Sequence, residues 1–430
     1  MTGSATEWGV LLAGFAAVFC QPSFTLFVRL ATAWVLCPGR HTLTRLYQIA
    51  EPSQDRAHDA YHRFVREGAW RMSSLWELSA RLQVKAFYPH GDIPADLDDT
   101  VFHKTGRKVA EAAWWRDAVR STGQRVVHCF GLNLVLLTLR VNAPWGGEPL
   151  GLPVNMRLHR KKGPTLLDLA EEMVREFAGW FPDRELQLGA DGFYAPLAGR
   201  AMPRVNLTSR MRRDAAIYAP APKRHKRARG RPRKRGRRLP TPEQLAKTKH
   251  GWRKVSVNLR GKPAMRLVLV HDVLWYAVCP EKPVRLIISR DPEGKEKDDF
   301  LFTTDLDATA EAVVSSYAGR WSIEDTFKNV KQLLGGQDPQ SWKAQGPERA
   351  AAFSFWMYSI VWFWYVQTNG CRRSWLPLPW YPAKRSPSFA DALAALRRTL
   401  WAERLFAQSE KHSLQRKMTT AIINVLATAA

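Results

Sequence analysis

Acidic residues are scarce in this chain: 39 Asp and Glu stand against 65 Lys and Arg, a formal net charge of +26. An excess of that size says little about fold and points to a polyanionic partner, against the plainer alternative of a generally basic solvated surface. Cysteine is also sparse. Cys20, Cys37, Cys129, Cys279 and Cys371 form no CxxC pair, which removes zinc-ribbon and thioredoxin-type chemistry. Five scattered thiols suit a reducing cytoplasm and offer no disulfide framework. Long apolar runs are missing too. Gly9–Cys20 is too short to span a bilayer and is followed by Gln21-Pro22, while the leading MTGSATEW lacks a basic signal-peptide start. Ala351–Val366 contains Ser354, Tyr358 and Ser359 and falls short of the roughly 20 residues a spanning helix needs. Both are expected as buried core, and no membrane association is expected. Among the eleven His no HExxH or HxE…CxxC pattern occurs, so zinc hydrolases and deaminases lack support.

What remains is a folded chain, 45% hydrophobic and 24% charged. Its 430 residues allow one large core with insertions, or two to three domains. From residue 5 to about 85 apolar positions recur at spacings of three and four (Leu43, Leu46, Tyr47, Ala50), punctuated by Pro22, Pro38 and Pro52. This helical segment suits DNA binding or plain packing. Near Pro94 the pattern turns to strand: Leu97–Phe102, Arg125–Val141 and Leu150–Leu158. Thr165–Gly179 then has the spacing of an amphipathic helix, and Glu185–Ala190 is a strand ending at Asp191-Gly192. Strands, helix and strand suggest a mixed α/β sheet. Lys223–Arg238 interrupts it with eleven Lys/Arg and no acid, less than half of the total charge excess. Strand-like segments resume at Lys254–Leu259, Met265–Val270, Leu274–Cys279 and Val284–Ser289. Helix prevails from Leu306, with a last helix expected over Phe389–Ala407.

The most informative stretch runs from Tyr317 to Lys331. On one helix, Tyr317, Arg320, Glu324 and Lys331 share an arc of about 60°, beside an apolar stripe of Ile323, Phe327, Val330 and Leu334. A carboxylate between two cations suits a divalent ion facing phosphate. Taken alone it suits equally an exposed Arg–Glu pair contributing a few tenths of a kcal/mol.

The spacing Y-x2-R-x3-E-x6-K, intact as Tyr317, Arg320, Glu324 and Lys331 and filled out by Trp321 and Ile323, resembles the signature of bacterial cut-and-paste insertion-sequence transposases of the DDE type. The resemblance covers about Asp98 to Gln340 and implies a ribonuclease H-like catalytic domain with two strand-borne Asp and a helical Glu. The first Asp precedes a Thr in that group. Asp99, before Thr100, is the choice here, with Asp98 on the opposite strand face as the alternative. Asp191 is the second, at a strand end where Gly192 allows a sharp turn, and an ordinary Asp-Gly turn is its plain explanation. The long interval from Asp191 to Glu324 resembles family members with a β-rich insertion there. Asp99, Asp191 and Glu324 are thus the expected catalytic and metal-binding residues. They would hold two Mg²⁺ ions, with Mn²⁺ as a substitute, for phosphoryl transfer.

Within the basic run, Arg229, Arg231 and Arg233 in RGRPR resemble an AT-hook core, suited to a narrow minor groove or to nonspecific phosphate contact. With Tyr317, Arg320 and Lys331 they are the expected DNA contacts. The fold class expected is α/β, a ribonuclease H-like mixed sheet. It carries a β-rich insertion between the second Asp and the Glu, an N-terminal helical domain and a helical C-terminus. The segments are 1–90, helical; 91–205, the first part of the catalytic domain; 206–290, basic linker and insertion; 291–370, its completion; and 371–430, helical. The resemblance implies a transposase acting on double-stranded DNA, both terminal inverted repeats and target. It would work as a homodimer in the bacterial cytoplasm, associated with the nucleoid when active. The alternatives are an inactive transposase-derived DNA-binding protein and a nuclease that cuts without joining.

Overall fold

The computed structural model describes residues 7–117, 120–222, 233–372, 375–376, 379–406 and 413–428. Five helices come first: α1 (Glu7–Ala13), α2 (Gln21–Leu36), α3 (Leu43–Ala50), α4 (His58–Glu67) and α5 (Met72–Phe87). Then follow β1 (Ile93–His103), β2 (Ala113–Arg116), β3 (His128–Val141), β4 (Leu150–His159), α6 (Leu166–Trp180), β5 (Leu186–Ala190) and β6 (Val205–Arg210). The short α7 (Pro242–Leu245) leads into β7 (Arg253–Leu259), β8 (Lys262–Val273), β9 (Val284–Arg290) and β10 (Asp299–Thr303).

These strands form a single mixed sheet in the order β2-β3-β1-β5-β6-β10-β9-β8-β7, with β4 also paired to β3. The unit β4-β3-β1-β5-β6 is ribonuclease H-like: β4, β3 and β1 run antiparallel, and β5 and β6 then run parallel to β1. Its centre is β3, buried on both faces from Gly131 to Val141, which explains its nearly unbroken apolar run. The crossover from β4 to β5 is α6, started by a capping box in which Thr165 and Asp168 satisfy each other's backbone N–H groups. It lays β5 beside β1 in the register Leu97↔Ala190, so Asp98 and Asp191 follow at neighbouring positions.

The β-rich insertion extends the same sheet, β10 pairing antiparallel with β6 and the remaining strands continuing outward. One expected strand is absent. Only Leu274 bridges, to Tyr218; Trp275–Cys279 is a turn in which the Val278 and Cys279 N–H groups both return to the Trp275 carbonyl. The sheet reaches its insertion through β10, which the sequence pattern did not reveal.

The remaining helices are α8 (Ala310–Gly319), α9 (Ser322–Leu333), α10 (Gly346–Asn369), α11 (Phe389–Phe406) and α12 (Ser413–Thr428), the last lying beyond the expected final helix. The signature stretch is therefore not one helix. Arg140 Nη1 donates to the Ser316 carbonyl at 2.6 Å, competing for an acceptor at the end of α8. Beyond it the Ile323 and Glu324 N–H groups bond three residues back, a tightened turn at Arg320-Trp321 between the two helices.

One large core runs from Trp8 to Leu400, so the N-terminal helices and the sheet share it. Its axis is α10, buried from Gly346 to Val366 apart from Glu348. Trp356 meets Phe15 edge-on at 5.2 Å and Phe27 at 5.3 Å, and Phe355 stacks on Phe102 of β1. Among the described residues, no helix is long and apolar enough to cross a membrane. A smaller core lies under α8, where Val313, Val314 and Tyr317 meet Val255, Val257, Val268, Ile287 and Leu301 of the insertion.

Candidate active site

Alternation along β1 puts Asp96, Asp98, Thr100 and Phe102 on the face toward α8, α9 and α10, and Leu97, Asp99 and Val101 on the other. Asp96 is buried and gripped from both sides by Arg140, Nε to Oδ2 and Nη2 to Oδ1, each 2.9 Å. The same guanidinium reaches the Ser316 carbonyl and hydroxyl, tying the end of α8 to the central strands. Gly189 of β5 passes so close that an added Cβ would lie 2.4 Å from Asp96 Oδ1, and only glycine fits there.

Two residues on, Asp98 Oδ2 accepts from Arg320 Nη1 at 2.8 Å. Arg320 Nη2 also lies 3.6 Å from Glu324 Oε1, and its guanidinium covers the Tyr317 ring at 5.4 Å. Arg320 thus links the β1 carboxylate to the α9 carboxylate. Asp99, on the opposite face, accepts from the Tyr194 hydroxyl at 2.9 Å. Asp191 caps the 3-10 turn Gly192–Gly199 by accepting from the Phe193 N–H, and its carbonyl takes the Ser209 hydroxyl. The plain turn role of Asp191 is therefore present, and it engages one carboxylate oxygen.

The electrostatics are those of carboxyls withdrawn from water, with nearby negative charge as a secondary cause. Burial pushes Asp98 up to about 7; Arg320 opposes this, and the charges of Asp99 and Asp191 reinforce it. Asp99 is raised by burial and by Asp191, against the Tyr194 hydrogen bond. Glu324, half-exposed, is raised by burial against the pull of Arg320 and Arg260. Asp98, Asp99 and Glu324 each feel the charge of Asp191, a cluster that a hard divalent cation relieves, so this donor set fits Mg²⁺ or Mn²⁺.

The other expected contacts fall differently. Tyr317 is buried beneath Arg320 and Arg210. Arg320 is buried and engaged by Asp98. Lys331 donates to Thr100 Oγ1 at 2.7 Å, and burial lowers its pKa. Arg233 is exposed; Arg229 and Arg231 lie outside the described residues.

Sequence inspection passed over Arg260. It forms the β7–β8 turn with Gly261, both at positive φ (52° and 79°), between the paired Leu259 and Lys262. Gly261 seats against the Gly147 backbone, where a Cβ would overlap at 2.0 Å. The guanidinium of Arg260 then lies 4.0 Å over the Trp321 ring and within electrostatic reach of Glu324. An x-Gly pair between two strands was the available signal.

The ribonuclease H-like sheet sets Asp98 and Asp99, midway along β1, beside Asp191 just past the end of the parallel strand β5. The chain matches the family described as DDE superfamily endonuclease over residues 25–272, more than half its length, and it belongs to that family. The match takes in both aspartate positions and ends before the signature helix. No curated protein matches the chain.

Proposed function

We propose that this endonuclease-family protein is a DNA transposase that cleaves the ends of an insertion sequence and joins them to target DNA. The observation that carries the proposal is the convergence of β1, β5 and α9. The Asp98-Asp99 pair and Asp191 come together at neighbouring strand positions, and Arg320 spans from Asp98 to Glu324. Asp99, Asp191 and Glu324 are proposed to hold two divalent ions, with Asp98 as the alternative to Asp99. Bound Mg²⁺ would supply Lewis acidity for phosphoryl transfer.

The chain's own residues position the DNA. Arg320, fixed by Asp98 and Tyr317, holds a rigid cation beside the carboxylates. Arg260 and Lys331 flank it, and each can pair a backbone phosphate. Beyond the end of β1, Arg40, Arg107 and Lys108 line a groove with Trp342 and offer further cations to duplex DNA, while Lys104 is held by the Gln337 and Pro339 carbonyls. Terminal inverted repeats as substrate, target joining and a homodimer in the DNA complex belong to the same proposal.

The test is incubation of the full chain with its flanking-repeat DNA in Mg²⁺ or EDTA, followed by sequencing of the ends. Metal-dependent nicking and strand-transfer products, both lost in Asp191→Ala, are expected. Cleavage without joined product would leave a nuclease. Salt-sensitive binding with no cleavage would leave a DNA-binding protein.

A further inference from the structure

A second cluster of ligating side chains lies at the far end of β1. His103 closes that strand, Cys129 stands near the start of β3, and Asp117 follows β2 directly. The register explains why they meet. His103 pairs with Gly131, Cys129 pairs with Trp115, and each partner is two residues from another member of the cluster. The Asp117 N–H donates to the Val127 carbonyl at 2.8 Å and so continues the β2–β3 ladder. Period-two alternation then turns all three side chains to one side of the sheet. One ligand atom from each lies within 4.8 Å of the other two.

We propose that His103, Asp117 and Cys129 form a binding site for a borderline-soft transition metal of the zinc class, separate from the Asp and Glu centre. One thiolate, one imidazole and one carboxylate are the donors such ions take, and Mg²⁺ prefers an all-oxygen shell. Cys129 is buried whereas His103 is exposed. The site is walled on the sulfur side and open on the imidazole side, leaving a coordination position for water. Binding displaces the thiol proton to solvent. A thiolate and a carboxylate then neutralise the ion, so the cluster gains a single positive charge relative to its metal-free state. Arg120 must move for this, since its Nε lies 3.5 Å from Asp117 Oδ2 and its backbone N–H donates to Oδ1 at 3.0 Å.

Lys331, anchored on Thr100 of the opposite face of β1, is within electrostatic reach of Asp117 and Cys129, and metal binding at the cluster does not depend on the transposase proposal.

The experiment is a titration of the full chain with Co²⁺, then Zn²⁺, with Mg²⁺ in large excess. Expected are one equivalent of Co²⁺ with a thiolate charge-transfer band in the near ultraviolet, displacement by Zn²⁺ and persistence in Mg²⁺. Cys129→Ser should abolish the band. His103→Ala, at an exposed position, should keep the fold and weaken Zn²⁺ binding at least about tenfold. Asp191→Ala should leave the band intact. The absence of a charge-transfer band overturns the proposal. So does its survival in Cys129→Ser, which would place the thiolate at exposed Cys20 or Cys371.

Discussion

Asp98 gives the sharpest test of the electrostatic argument, through stability rather than activity. Its pKa is raised from 3.8 to about 7 in the folded chain. The fold therefore favours the protonated acid, and its contribution to stability is complete below pH ~4 and lost as pH rises through about 7. A shift of about 3 units amounts to roughly 4 kcal/mol once Asp98 is fully ionised. Between pH 6 and 8 the share lost is on the order of 1 kcal/mol. Asp98→Asn removes this titration, and it also changes the pairing of Arg320 by an amount that does not depend on pH in this range. The informative quantity is therefore the difference between wild type and Asp98→Asn, measured by urea unfolding in EDTA at pH 6 and at pH 8. The variant should gain on wild type by about 1 kcal/mol between the two pH values, and the gain should vanish in saturating Mg²⁺ as the ion stabilises the ionised carboxylates. A difference that stays constant with pH, within a few tenths of a kcal/mol, would refute the claim that burial holds the Asp98 carboxyl well above its ordinary range despite Arg320.

Three further outcomes are expected. Asp191→Asn, Glu324→Gln and one of Asp98→Asn and Asp99→Asn should each lower Mg²⁺-dependent cleavage by about a hundredfold or more; the milder of the two β1 variants identifies the aspartate that is not a ligand. Arg260→Gly, at a turn position that already has positive φ, should keep the fold while the slope of log K against log salt for DNA binding falls by about one unit. An unchanged slope would place Arg260 off the DNA. Trp356→Ala should destabilise the chain by about 3–5 kcal/mol, and the helices before β1 should melt in the same transition as the sheet, because Phe15 and Phe27 pack on that indole. Two resolved transitions would show residues 1–90 to be a separate domain.

The sequence carried the elements whose information is local. A change of pattern near Pro94 marked β1, the apolar run within Arg125–Val141 marked β3, and amphipathic spacing from Thr165 to Gly179 marked α6. The proposed carboxylates rest on equally local signals, since Asp191-Gly192 is a strand end and Glu324 sits in a dense motif. The failures have a common physical source, which is partners distant along the chain. Arg140 engages both the Asp96 carboxylate and the Ser316 carbonyl, and the end of α8 comes within its reach only once β1 and β3 have paired. A helical wheel drawn through Tyr317–Lys331 has no access to that competitor, so the turn at Arg320 was invisible. It nonetheless kept Tyr317, Arg320 and Glu324 adjacent, because Arg320 and Trp321 stay in the right-handed helical region while the chain tightens. Arg260 was lost for the complementary reason. Its role depends on Gly261 meeting Gly147, a contact between two turns that share no periodicity. Its place beside Trp321 gives the β-rich insertion a direct purchase on the Glu324 helix. The insertion therefore does more than widen the sheet: with β10 anchored on β6 and the β7–β8 turn held at α9, it fixes one edge of the cleft against the strands that carry the aspartates.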